Sequence, residues 1–132
     1  MVKIIDACAL MVYLEKEPGY EKVRDLFVKA TENGKYLLMT TVNLGEVLYV
    51  LLREYGQEET EKLLRIIETF PIEFISVDLD IAKQAAAYKV SGKMSYADCF
   101  AAALTRLRKG ELITSDKEFK AVADEINIIW LK

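Results

Sequence analysis

Four carboxylates stand where a short apolar run gives way to a helical one. Asp6 closes "VKII", and Glu46 lies in the first turns of the helix that follows "YLLMT". Asp98 sits in "SYAD" at the head of an alanine-rich stretch, and Asp116 ends "ELITSD". In an open parallel sheet such edges share one side of the molecule, outside the carboxyl ends of the strands, where ligands bind. Carboxylates gathered there repel one another, and some stay protonated unless a cation enters. Oxygen donors with no thiolate or imidazole cluster select a hard divalent cation, Mg²⁺ or Mn²⁺. Such an ion lowers the pKa of bound water and polarises a phosphoryl oxygen. The chain has no histidine, which removes Ser-His-Asp and Cys-His catalysis, histidine zinc sites and every histidine base.

Each acid also has a purely local explanation. Ser95 and Asp98 match a capping box, and Asp6 and Asp116 fit helix N-caps. Glu46 is placed away from the Leu44, Val47, Leu48 and Leu51 stripe, where a surface glutamate is ordinary. Asp78 and Asp80 also follow a strand and open a helix, and capping explains them fully. Position alone therefore does not single out a site; the joint pattern of four acids does.

Apolar strands alternating with helices predict an α/β domain with a mainly parallel sheet of about four to five short strands. The strands are "VKII", "YLLMT", "EFISV", "ELITS" and "INIIWL". Between them run "DACALMVYLEKE", an amphipathic helix from Gly19 to Gly34, a helix from Val42 that Gly56 ends, and another carrying Leu63, Leu64, Ile67 and Phe70. "DLDIAKQAAAYKVSG", "SYADCFAAALTRLRKG" and a short "DKEFKAVAD" complete the helices. The stripe of the third helix extends over Leu52 to Tyr55. Strand order is not readable.

The 132 residues fit one domain, 1–132, and 52% hydrophobic with 30% charged residues describes a globular chain. The longest charge-free run, Tyr36 to Gly45, is too short to span a bilayer. "MVKIIDACAL" lacks a signal-peptide layout, so the expected location is cytoplasmic. Cys8 and Cys99 form no CxxC and read as small buried residues. A net charge of −3 does not advertise nucleic-acid binding, although acids gathered at a metal site would mislead that total.

The joint pattern resembles PIN-domain proteins, and among them the VapC-type toxins of toxin–antitoxin pairs. The most specific stretch runs from Ser95 to Phe119, where "YAD-x-x-x-A-A" precedes a strand and then Thr114, Asp116 and Phe119 in "T-x-D-x-x-F". The resemblance implies a three-layer fold with a parallel sheet flanked by helices, and a divalent-metal-dependent endoribonuclease cutting single-stranded or loop RNA. The family's four acidic positions fall on Asp6, Glu46, Asp98 and Asp116, as catalytic and metal-holding groups. Thr114 and Ser115 would support a carboxylate or a phosphate by hydrogen bonding. Many members carry a hydroxyl residue after the first aspartate, where this chain has Ala7.

The same resemblance implies an RNA substrate, a small antitoxin partner whose basic side chain enters the acidic cleft, and a homodimer with no membrane association. Lys89, Lys93, Arg106, Arg108, Lys109, Lys117 and Lys120 lie near the motifs in sequence and are candidates to meet phosphates. Tyr13, Tyr49 and Tyr96 are candidates to stack bases or to pack at the rim. Alternatives are a housekeeping RNA-processing nuclease or a weakly catalytic binding module of the same fold. A Mg²⁺-binding receiver-like signalling module is a remoter one, because "YLLMTT" ends without a phosphoacceptor aspartate.

Overall fold

The computed structural model describes all of residues 1–132. β1 (Lys3–Ile5) leads through Asp6 into α1 (Ala7–Leu14) and α2 (Tyr20–Glu32). β2 (Leu37–Thr40) runs directly into α3 (Thr41–Ile67), and β3 (Ile72–Ile75) is followed by α4 (Leu79–Ser91) and α5 (Tyr96–Leu107). β4 (Glu111–Thr114) leads to a 3₁₀ segment (Lys117–Val122), and β5 (Asn127–Trp130) closes the chain. The sheet order is β3-β2-β1-β4-β5, and every neighbouring pair is parallel. The expected α/β architecture is thus present, with a sheet that is parallel throughout.

The strands alternate their side chains between two cores, as a sheet covered on both faces requires. Ile4, Leu38 and Leu112 point into the core shared with α4 and α5. Ile5, Leu37, Met39 and Ile113 point into the core shared with α1, α2 and α3. Ala101, Ala102 and Ala103 of α5 are all fully buried. Side chains this small let α5 lie close to the sheet.

Sequential strands β1, β2 and β3 step outward in one direction, and the chain then returns to place β4 on the other side of β1. That reversal puts the crevice of the fold at the carboxyl ends of β1 and β4. Gly110 makes the return possible. A Cβ there would fall 2.5 Å from the carbonyl oxygen of Val2, which accepts a 2.8 Å bond from the next residue, Glu111.

Two local expectations change. Gly56 does interrupt the helix as expected, at φ 80° and ψ 173°, and α3 is two helical segments that meet there at a kink. In the stripe of α3 only Val47 and Leu51 are fully buried, while Leu52 and Tyr55 are exposed. The reason is reach: the segment before the Gly56 kink runs roughly 22 Å beside strands about 13 Å long, and Leu52 and Tyr55 stand in its last turn. The "DKEFKAVAD" stretch folds as a 3₁₀ segment and not as an α-helix. Asp116 Oδ1 accepts from the Glu118 N–H at 2.9 Å, which tightens the turn, and buried Phe119 pins it to the core.

Candidate active site

Asp6 ends β1 and is 1% exposed. Its Oδ1 caps α1 by accepting from Ala9 N–H at 2.8 Å, and its Oδ2 accepts from the Thr114 hydroxyl at 2.6 Å. Thr114, at the end of β4, also accepts at 2.9 Å from Asp116 N–H through the same oxygen. One hydroxyl therefore ties Asp6 to the turn that carries Asp116. Ser115 is turned elsewhere: its hydroxyl pairs with Cys8 Sγ at 3.0 Å. Cys99 is buried and Cys8 half-buried, so both line packed walls.

Asp98 lies in the first turn of α5 and is 7% exposed. The capping box expected of Ser95 and Asp98 is half formed. Ser95 Oγ accepts from Asp98 N–H at 3.2 Å, but the Ser95 N–H donates at 2.9 Å to Glu118 Oε1, from the 3₁₀ segment. The Asp98 carboxylate is left free of backbone duties. It faces Asp116 and Glu118, and the three residues bring carboxylate oxygens within 4.8 Å of one another.

Glu46, half-buried on α3, receives a 3.4 Å bond from Asn43 Nδ2. Asn43 is 1% exposed and donates from the same nitrogen to the Ala97 carbonyl at 3.1 Å. Its own amide oxygen accepts from the Thr40 hydroxyl. Asn43 thereby fixes α3, and with it Glu46, against the start of α5. Asp6 and Glu46 stand outside the tight trio, yet their charges reach it.

The ionisation behaviour reflects this crowding. Burial pushes the Asp6 carboxyl up to about 7, helped by the charges of Asp116 and Glu46 and opposed by the bonds from Thr114 and Ala9. Asp98 is raised well above the carboxylate range, first by burial and then by the charge of Asp116. Glu46 is raised by burial and by Asp116, with the Asn43 bond acting against this. No lysine or arginine forms an ion pair with any of these acids. Protons or an added cation must balance them. The donor set is all oxygen, which suits a hard divalent ion.

Glu118 and Asn43 carry more of this site than the sequence suggests. Asn43 has a signal, since "TTVN" after a strand is a Thr-x-x-Asn cap. Glu118 has only its spacing two residues after Asp116. Among the basic candidates, Arg106, Arg108 and Lys109 sit at the far end of α5, roughly 12–16 Å along the axis from Asp98. Arg106 is paired with Glu125 at 2.7 Å, and Lys89 donates to the Met94 carbonyl at 2.9 Å. Lys93, Lys117 and Lys120 are exposed. Tyr13 packs edge-on against Phe27 and Phe70, whereas Tyr49 and Tyr96 are 61% and 49% exposed. A cavity of about 610 Å³ opens at the opposite edge of the sheet, beside Lys29 and Tyr36, and contains none of the acids.

A family model described as PIN domain matches residues 3–125. No curated protein matches the chain by sequence. Among solved structures, a toxin–antitoxin complex from Klebsiella pneumoniae aligns over 98% of both chains with 16% identity and a TM-score of 0.71. DNA-bound VapBC from Salmonella typhimurium aligns over 100% of this chain and 99% of its own, with 17% identity and a TM-score of 0.79. The Mycobacterium tuberculosis VapC20, a sarcin–ricin loop cleaving toxin, aligns over 91% and 94%, with 19% identity and a TM-score of 0.64. Likeness at these identities is a likeness of fold, and it agrees with the family match over nearly the whole length. The chain belongs to the PIN-domain family.

Proposed function

We propose that residues 1–132 form one PIN domain acting as a Mg²⁺- or Mn²⁺-dependent endoribonuclease, the toxin of a toxin–antitoxin pair. The observation that supports this reading is the close trio of Asp98, Asp116 and Glu118 beside the crevice of a parallel sheet. Asp6 and Glu46 are near enough for charges to be felt between them and Asp116. A bound divalent ion would supply a hydroxide nucleophile at neutral pH and polarise the scissile phosphate.

The chain's own residues prepare for that ion. Asp98 offers oxygens from α5 and Asp116 from the turn after β4, and Asp6 offers the remaining lone pairs of a carboxylate that Thr114 holds still. A carboxylate oxygen accepts more than one bond, so the contacts to Ala9 and Thr114 leave capacity for a cation. Glu46 has one oxygen on Asn43 and the other free to orient a water. Attack by water does not use the RNA 2′-hydroxyl; the P–O3′ bond breaks as the new P–O bond forms and the 3′-oxygen leaves with a proton, so products carry a 5′-phosphate and a 3′-hydroxyl. Mapping the ends of cleaved RNA tests this, and a 2′,3′-cyclic phosphate would contradict it.

A loop or single-stranded RNA substrate is in keeping with the sarcin–ricin loop cleavage by M. tuberculosis VapC20, whose fold this chain shares. An antitoxin partner is in keeping with the K. pneumoniae complex. The crevice suits a basic side chain from such a partner, because its carboxylates have no cation of their own. The reading includes a homodimer in the cytoplasm; no helix is long and apolar enough to cross a membrane.

A further inference from the structure

A helix that starts with Ser-x-x-Asp ordinarily uses its acid to cap the serine N–H. Here Asp98 stands three residues after Ser95, in position to do so, and does not. Glu118 takes the bond instead, at 2.9 Å, from 23 residues further along the chain. Glu118 is itself held by its own N–H on Asp116 Oδ1 at 2.9 Å, so its reach back to Ser95 ties the 3₁₀ segment to the first turn of α5. The consequence falls on Asp98. Its N–H is satisfied by Ser95 Oγ, and its carboxylate is released to face Asp116.

We infer that Glu118 is a positioning residue: it occupies the Ser95 N–H so that Asp98 is kept out of the capping box and aimed into the crevice. The inference rests on the nuclease reading of that crevice. Glu118 is exposed, so its replacement leaves the core untouched. Without it, the orphaned Ser95 N–H needs an acceptor, and the nearest one its own helix supplies is the Asp98 carboxylate. Asp98 would then turn away from Asp116, and the site would lose an arm without losing any of its four acids.

The test compares Glu118→Ala with Glu118→Gln. The glutamine keeps an oxygen that can accept from Ser95 and removes the charge. Mn²⁺ affinity by calorimetry and single-turnover cleavage of a labelled RNA are measured for both and for wild type. The expected result is a loss of about tenfold or more in Mn²⁺ affinity and rate for Glu118→Ala, most of which Glu118→Gln recovers. A crystal structure of Glu118→Ala should show Asp98 accepting from Ser95 N–H. Equal defects in the two variants would mean that the charge matters and not the bond, and would overturn the inference. So would an alanine variant as active as wild type, or one in which Asp98 keeps its place. A wild-type protein that neither binds Mn²⁺ nor cuts RNA would instead sink the nuclease reading itself.

Discussion

The Thr114 hydroxyl lies between two acids: it donates to Asp6 Oδ2 at 2.6 Å and accepts from Asp116 N–H at 2.9 Å. A β-branched residue at the end of β4 thus holds the last residue of β1's run and the first of the 3₁₀ turn in one fixed relation. Thr114→Val keeps the shape and removes both bonds. It should destabilise the protein by about 1–3 kcal/mol, because Asp6 and Asp116 N–H lose a buried partner, and weaken Mn²⁺ binding by roughly tenfold or more. Thr114→Ser should retain most of both. Urea unfolding and calorimetry on the pair read this out.

Asp6 makes the stability of the metal-free protein depend on pH in the less usual direction for an aspartate. Its carboxyl titrates near 3.8 when unfolded and at about 7 when folded, so the native state holds the proton more tightly. As pH rises from 4 to 7 the unfolded state ionises first and the contribution of Asp6 falls by up to about 4 kcal/mol, then levels off. Asp98, raised further, carries the fall on above pH 7. Asp6→Asn should reduce this slope, leaving the part that Asp98 and Glu46 contribute. Saturating Mn²⁺ should also flatten it, since the ion favours the charged form. Thermal unfolding of both proteins from pH 4.5 to 8, with and without Mn²⁺, checks the sign.

Repulsion among the acids implies a trade between stability and activity. Asp98→Asn removes a buried carboxyl that folding forces to take up a proton beside Asp116, and leaves the Ser95 cap intact. At neutral pH the metal-free variant should be at least as stable as wild type, by up to about 2 kcal/mol, because an amide needs no proton to be buried there. The stabilisation by Mn²⁺ seen in wild type should shrink. Thermal melts of the two proteins across a Mn²⁺ titration give both quantities.

Gly110 tests the fold independently of the chemistry. An alanine there places its Cβ 2.5 Å from Val2 oxygen and 2.6 Å from Ile4 Cδ1, where β4 begins beside β1. Gly110→Ala should cost about 1–3 kcal/mol or more as overpacking. Urea unfolding of Gly110→Ala, beside Gly45→Ala where no atom lies within 4 Å of the added Cβ, reads it out.

Much of this site is legible in sequence because strand ends and helix starts are local features. Asp6, Glu46 and Asp116 follow strand ends that parallel pairing brings together. Asp98 instead opens a helix that follows α4 and not a strand, and reaches them only through the packing of α5. Capping and clustering also prove compatible: Asp6 gives one oxygen to Ala9 N–H and the other to Thr114. What the sequence hides is tertiary. Glu118 reads as one more surface acid until the 3₁₀ segment folds against α5, and the strand order depends on which strand β4 joins. Arg106, Arg108 and Lys109 mislead because a helix carries its two ends apart while sequence proximity keeps them close.

The central claim is tested most directly by incubating the purified protein with an end-labelled single-stranded RNA in EDTA, Mg²⁺ or Mn²⁺, with Asp98→Asn alongside. Cutting with Mg²⁺ or Mn²⁺ that EDTA abolishes, and that the variant loses by a hundredfold or so, is the predicted result. Equal cutting by Asp98→Asn, or cutting that survives EDTA, would contradict it.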